Sequence, residues 1–169
     1  MSMYTTHPGF AIDSRTEDAY RTDVGAALKA PLYGLRVLDL GCGSGTFSRF
    51  LEACGMRVTG IDSDSEALKA ARDHAQNAKF IRVDIESADE IARMLPAQHS
   101  FDLLAARYVI HELADPIETF QLWKRLLKPT GRLLLIENVW IRTDWGWGEW
   151  GKRSDHLPLA CNQTWATAV

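Results

Sequence analysis

The sequence predicts an α/β protein in which a mainly parallel sheet is doubly wound by helices, and three observations carry that prediction. Strand-length apolar runs alternate with helical patterns along most of the 169 residues. Those runs are apolar at consecutive positions rather than at every second one, as strands buried on both faces are. A glycine-rich stretch, VLDLGCGSG at 37–45, sits directly behind the first run and carries Gly41, Gly43 and Gly45. A buried strand that ends in a flexible turn before a helix is the opening unit of a doubly wound sheet.

The elements follow in order. Residues 14–29, opened by Ser14 and Glu17 in a capping-box pattern, form a helix ahead of the first strand and are expected to lie over the core as a cover. The first strand is RVLDL (36–40), and behind it Phe47, Phe50, Leu51 and Cys54 keep helical spacing until Gly55 stops them. RVTGID (57–62) is the second strand. A helix begins near Asp64, where Ser63 and Glu66 make an S-x-x-E pattern, and runs to about His74. KFIRVD (79–84) is the third strand, followed by a weaker helix from Ser87 to Leu95 before Pro96. FDLLAAR (101–107) is the fourth. The next helix has Asp115 as N-cap, Pro116 at its first position and Glu118 two residues on, with Ile117, Phe120, Trp123 and Leu127 on one face. RLLLIEN (132–138) is the fifth strand. Strand and helix alternating in this way imply right-handed crossovers and a Rossmann-like architecture.

Bulk properties narrow the function. A formal net charge of −3 argues against a nucleic-acid or acidic-membrane surface, which needs clustered positive charge. No apolar stretch approaches the roughly 20 residues that span a bilayer, and MSMYTTHPGF has neither a basic nor an apolar leader region, so a soluble, cytoplasmic protein is expected. Cys42, Cys54 and Cys161 form no C-x-x-C pair, which supports neither a disulfide frame nor a zinc site, and no metal is expected. Cys42 inside the turn is open to two readings, a reactive thiol or a small residue in tight space.

A ligand that touches the main chain answers why glycines crowd the end of a buried strand. A dinucleotide fingerprint G-x-G-x-x-G would put its third glycine at position 46, where the chain has Thr46. Instead the stretch reads Asp39-x-Gly41-x-Gly43-x-Gly45, with Cys42 between the first two glycines. This resembles motif I of the class I S-adenosylmethionine-dependent methyltransferases. A carboxylate beside the turn would repel a pyrophosphate and suits the ammonium of a methionine moiety.

The resemblance extends over about residues 35–138. VTGIDSDSEAL looks like the family's second-strand motif, which implies that Asp62, with Ser63 beside it, accepts hydrogen bonds from the ribose hydroxyls. FIRVDIES is similar to the third-strand motif and implies Asp84 at the adenine amino group with Ile85 flanking the ring. FDLLAARYVIHELADP resembles the fourth-strand motif, where the main chain near Arg107 faces the methionine end and the Arg107 side chain is expected to point to solvent. LLKPTGRLLLIE matches the usual helix, turn and fifth strand. The resemblance implies strand order 3-2-1-4-5 and S-adenosylmethionine as cofactor. The length suits one domain, in which a helical cover (1–30), a cofactor-binding core (31–138) and a tryptophan-rich segment (139–169) are expected.

Each position also has a purely structural reading: Asp39 as a turn cap, Asp62 as part of the second helix's N-cap region, Asp84 as a turn residue at a strand end. Methyl transfer mainly needs alignment and exclusion of water, so a catalytic base is optional. His111, which follows the fourth strand, is the first candidate, against the alternative of a histidine capping the segment before Asp115; Glu112 and Glu137 are weaker candidates. Trp140, Trp145, Trp147 and Trp150 in a glycine-punctuated loop either line an acceptor pocket or form a packing or subunit contact. The family's sheet has seven strands, and residues 139–169 leave no room for its sixth and seventh, so NQTWATAV is expected to begin a further helix and stop. The open fifth-strand edge predicts either a truncated form or a homodimer paired along that edge or through the tryptophan segment.

The main expectation is transfer of a methyl group to O, N or C of a small-molecule acceptor. One rival is a cofactor-binding subunit without its own activity that stabilises a partner. The other is an NAD-linked oxidoreductase with a degenerate fingerprint, against which the misplaced third glycine argues.

Overall fold

The structure, a computed structural model, describes residues 14–28, 31–96, 98–136, 140–143 and 146–149. The elements run α1 (Ser14–Leu28), β1 (Arg36–Leu40), α2 (Thr46–Ala53), β2 (Arg57–Asp62), α3 (Ser65–His74), β3 (Lys79–Arg82), α4 (Ala88–Met94), β4 (Phe101–Arg107), α5 (Pro116–Lys124), β5 (Leu127–Ile136), β6 (Trp140–Thr143) and β7 (Gly146–Glu149). β1 to β5 form one sheet in the order β3-β2-β1-β4-β5, every pair parallel. The order reverses at β1, and the crevice between β1 and β4 therefore opens at the carboxyl ends of these strands.

Successive residues of the central strands belong to different cores. Val37, Leu103, Ala105, Leu134 and Ile136 pack with Phe47, Phe50 and Leu51 of α2 and with Tyr20, Val24 and Leu28 of α1. Leu38, Leu40, Leu104 and Ala106 pack with Ile91 of α4 and Trp123 of α5. Burial on both faces is what the consecutive apolar runs encode. α1 presents Tyr20, Val24 and Leu28 at four-residue spacing, all 5% exposed or less.

Caps set where the helices begin. Asp115 accepts from the Glu118 N–H at 3.0 Å with Pro116 behind it, and Ser87 accepts from the Glu90 N–H at 3.3 Å. At α3 the cap is Asp64 rather than Ser63: its Oδ1 accepts from the N–H groups of Glu66 and Ala67. Ser63 stands one residue too early, and the Glu66 N–H that it would need as a cap is already taken by Asp64.

Three expectations are corrected in detail. Ile117 is 73% exposed, because Trp123 rather than Ile117 fixes which face of α5 turns to the sheet, and Leu127 already belongs to β5. β5 starts at Leu127, five residues before the predicted run, because Leu127 pairs with Phe101 and an irregularity then takes up the residues between it and Arg132. Pro129 and Gly131 hide that start, since both read as turn residues. Within the tryptophan-rich segment, β6 and β7 form an antiparallel hairpin of their own, Trp140 opposite Glu149 and Thr143 opposite Gly146. Its aromatic and β-branched residues favour strand despite the glycines. Glu137, Trp145, Trp150, Cys161 and the 162–169 stretch lie outside the described residues.

Gly45 caps α2 at φ 79°, and a Cβ there would sit 2.9 Å from the Cα of Ala71 in α3. Left-handed backbone and a backbone clash add, so Gly45→Ala is expected to lower stability by about 2–4 kcal/mol. A urea midpoint equal to that of the unsubstituted chain would contradict this packing.

Candidate functional site

A cavity of about 520 Å³ opens at the carboxyl ends of β1, β2 and β4. The β1–α2 loop supplies Gly41, Cys42 and Gly43 to its wall, and Asp39 reaches it from the last turn of β1. Gly43 has φ 51°, and a Cβ added to it would meet nothing within 4 Å, so the main chain is open on that side. Gly41 allows a different closeness: its Cβ would lie 2.7 Å from Cγ2 of Val109, in the loop after β4. Gly45 does not line the cavity and packs on α3.

Asp62, at the end of β2, joins two loops through one carboxylate. The Gly43 N–H donates to its Oδ2 at 2.8 Å and the Asp64 N–H to its Oδ1 at 2.9 Å. Both bonds fix the side-chain rotamer while leaving each oxygen further acceptor capacity toward the cavity it lines. Ser63 stands next to it on the same wall. Asp62 therefore does more than the helix-cap reading allows; that task falls to Asp64.

The third-strand side is built by a separate network. Asp84 accepts from the Glu86 N–H at 2.9 Å, as its turn reading expects, and also lines the cavity with Ile85. The Ile85 carbonyl accepts from Trp123 Nε1 at 2.8 Å, and Glu86 Oε1 accepts from the Ala114 N–H at 2.9 Å and from Thr119 Oγ1 at 3.2 Å. The loop after β3 is thereby tied to α5 and to the segment that carries His111.

That segment follows β4. His111 and Glu112 lie in a 3-10 turn and both line the cavity, with Nε2 of His111 3.8 Å from Oε1 of Glu112 and both side chains about half exposed. The expectation that the Arg107 side chain points to solvent is overturned. Its guanidinium carbon lies 4.5 Å from the ring centroid of Tyr108, and its Nε donates to the hydroxyl of Tyr20 at 3.2 Å. Contact with two aromatic rings and a hydroxyl acceptor keeps the planar cation against the protein. Tyr108, missed from the sequence, has φ 60°, rare for a residue with a Cβ. Its only local signal is an aromatic residue directly after the strand.

Electrostatics set Asp39 apart. It is 1% exposed and accepts from Ser48 Oγ of α2 at 2.5 Å, a side-chain partner rather than the turn amide of the capping reading. Burial raises its pKa from 3.8 to about 7, against the lowering effects of the Ser48 hydrogen bond and of Arg107. The Cys42 thiol is also pushed up, first by burial and then by Asp39 and Asp62, which keeps it protonated and disfavours the reactive-thiol reading. Among the described residues the lining carries six carboxyl side chains (Asp39, Asp62, Asp64, Glu66, Asp84 and Glu112) and, of Lys and Arg, Arg107 alone. Among the described residues, no group of three or more His, Cys, Asp and Glu side chains is arranged to hold a metal ion, and no helix is long and apolar enough to cross a membrane.

Comparison with known proteins agrees with this geometry. A family model described as a methyltransferase domain matches residues 32–161, and the chain belongs to that family. The ubiquinone biosynthesis O-methyltransferase of Thiobacillus denitrificans is 35% identical over 104 residues, covering 61% of this chain and 44% of that protein. The enzyme of the same name from Xylella fastidiosa is 38% identical over 109 residues, covering 63% of this chain and 43% of that protein. The chain thus spans less than half the length of these curated relatives. Among solved structures, a protein from Pyrococcus horikoshii OT3 is similar with a TM-score of 0.61 at 28% identity, covering 80% of this chain and 65% of the other. An S-adenosylmethionine-dependent methyltransferase from Mesorhizobium loti gives a TM-score of 0.58 at 25% identity, covering 70% and 58%.

Because the folded pKa of Asp39 lies above 3.8, the native state holds this proton more tightly than the unfolded chain. The stability contributed by its protonated form is complete below about pH 3.8 and is lost as pH rises through about 7. Asp39→Asn removes that loss and keeps a partner for Ser48, so without ligand it is expected to melt at least about 3 °C higher than the parent at pH 8 and close to it at pH 4. Equal melting temperatures at pH 8 would show that Asp39 carries no such strain.

Proposed function

We propose that the cavity binds S-adenosylmethionine and that the chain transfers its methyl group to a small-molecule acceptor. One observation carries the reading: the charged side chains around a glycine turn open to ligand are carboxyl groups apart from Arg107 among the described lining residues, and two of them, Asp39 and Asp62, are held in place by hydrogen bonds. A diphosphate would meet these negative charges at close range, whereas a ligand with an ammonium and sugar hydroxyls uses them as acceptors. This argues against the NAD-linked alternative.

The donor set fits the whole nucleoside. Asp62 would accept from the two ribose hydroxyls, with Ser63 beside it, and Asp84 with Ile85 would hold the adenine. The open main chain of Gly43 would lie against the ligand, with Gly41 and Cys42 completing the turn and Gly45 keeping α2 at its packing distance from α3. Asp39 would hold the ammonium, and Arg107 is the cation available to the carboxylate of the same amino-acid group. When bound, the sulfonium supplies an electrophilic methyl group. The residues of this chain then align and exclude water, contributions that can reach several kcal/mol without any covalent step. His111, paired with Glu112 at the mouth of the fourth strand, would take the proton of the acceptor as it is methylated. The names of the relatives favour an oxygen acceptor.

Calorimetric titration with S-adenosylhomocysteine tests the cofactor part. Binding is expected, and affinity is expected to rise as pH increases through about 7, because the ammonium requires ionised Asp39. Absence of binding at millimolar concentration, or comparable binding of NAD, would reject the proposal. Asp62→Asn is expected to weaken binding at least about 10-fold, or 1.4 kcal/mol.

A further inference from the structure

α1 precedes the strand-helix alternation, and Tyr20 on it touches a residue that lines the cavity. Tyr20 is 5% exposed, with its ring 5.9 Å from that of Phe47 and 5.8 Å from that of Phe50. Two residues of α2 thus hold the ring, and its hydroxyl is delivered to a fixed point. There it accepts from Arg107 Nε at 3.2 Å, with the guanidinium carbon 5.7 Å from the Tyr20 ring centroid. The same guanidinium carbon lies 4.5 Å from the ring centroid of Tyr108, whose hydroxyl interacts with both Tyr20 and Arg107.

We propose that Tyr20 is a positioning residue: by accepting the Arg107 Nε hydrogen bond at a fixed hydroxyl, it orients the guanidinium for the carboxylate of the amino-acid end of the ligand. The proposal rests on the cofactor reading above. A flexible arginine loses several rotors on binding a carboxylate, and a planar fork held in advance loses less. Arg107 matters disproportionately because the other charged groups of fixed sign on the wall repel a carboxylate. Its charge also reaches Asp39, where it favours the ionised form that an ammonium needs. One tyrosine hydroxyl on the N-terminal helix therefore serves both charges of a zwitterionic ligand through a single cation.

Tyr20→Phe tests this, since it keeps the ring packed on Phe47 and Phe50 and deletes the hydroxyl that meets Arg107 and Tyr108. Calorimetry compares S-adenosylhomocysteine with 5′-methylthioadenosine, which shares the nucleoside and lacks the amino-acid group. The variant is expected to bind S-adenosylhomocysteine about 3- to 10-fold more weakly and 5′-methylthioadenosine unchanged. Arg107→Lys is expected to show the same selectivity, and adding Tyr20→Phe to it to cost nothing further. Equal loss for both ligands would mean a merely structural tyrosine and would overturn the proposal, as would no loss for either. Failure of the unsubstituted chain to bind S-adenosylhomocysteine would instead reject the cofactor reading, and this proposal with it.

Discussion

Asp62 accepts one backbone N–H from the glycine loop and another from the start of α3, and the cavity is organised around that shared carboxylate. The two loops follow neighbouring strands, β1 and β2, so their separation is set by the sheet and their relative orientation by this side chain. Two charge-assisted hydrogen bonds of this kind contribute of the order of 1.5–3 kcal/mol each. They also fix a rotamer, so that the acceptor capacity left over faces a defined point. Gly43 has a double part in the arrangement: it gives its N–H to Asp62, and its missing Cβ leaves space for whatever Asp62 is presented to.

Around this anchor the chain accumulates negative charge that a folded protein without a ligand gains nothing from. Asp39 illustrates the cost, since burial lifts its pKa to about 7 with one hydroxyl as its side-chain hydrogen-bond donor. An apolar residue could fill the same space without that burden. Retaining a carboxyl there makes sense when a cation arrives to share the cavity, and functional sites commonly hold groups whose charged form is disfavoured in the empty state. Arg107, in contact with Tyr20 and Tyr108, adds a positive group to the same lining and favours the ionised form of Asp39.

Local chemistry made most of this architecture legible in the sequence. β1, β2 and β4 coincide with their predicted runs, because each is a largely buried apolar run that starts or ends on a charged residue. The glycine turn, Asp39, Asp62, Asp84, Ile85 and His111 converge on one cavity, as expected from strand ends in a doubly wound sheet. What escaped depends on contacts between distant segments. The environment of Arg107 is decided by Tyr20, 87 residues away, and a lone arginine at a strand end carries no local sign that an aromatic will meet it. Asp64 and Ser63 are both good caps by type, and the structure gives the Glu66 N–H, which either could accept, to Asp64. Gly45 reads as a ligand-facing glycine by its spacing but serves the contact between α2 and α3, because that distance depends on where α3 crosses.

A crystal structure of the chain with S-adenosylhomocysteine would test the central claim most directly, through the separation between the Asp62 carboxylate oxygens and the ribose hydroxyls. The account predicts both hydroxyls within about 2.5–3.0 Å of that carboxylate, with the Gly43 and Asp64 hydrogen bonds retained. A nucleoside bound elsewhere, or bound in the cavity with Asp62 turned away from its sugar, would contradict it.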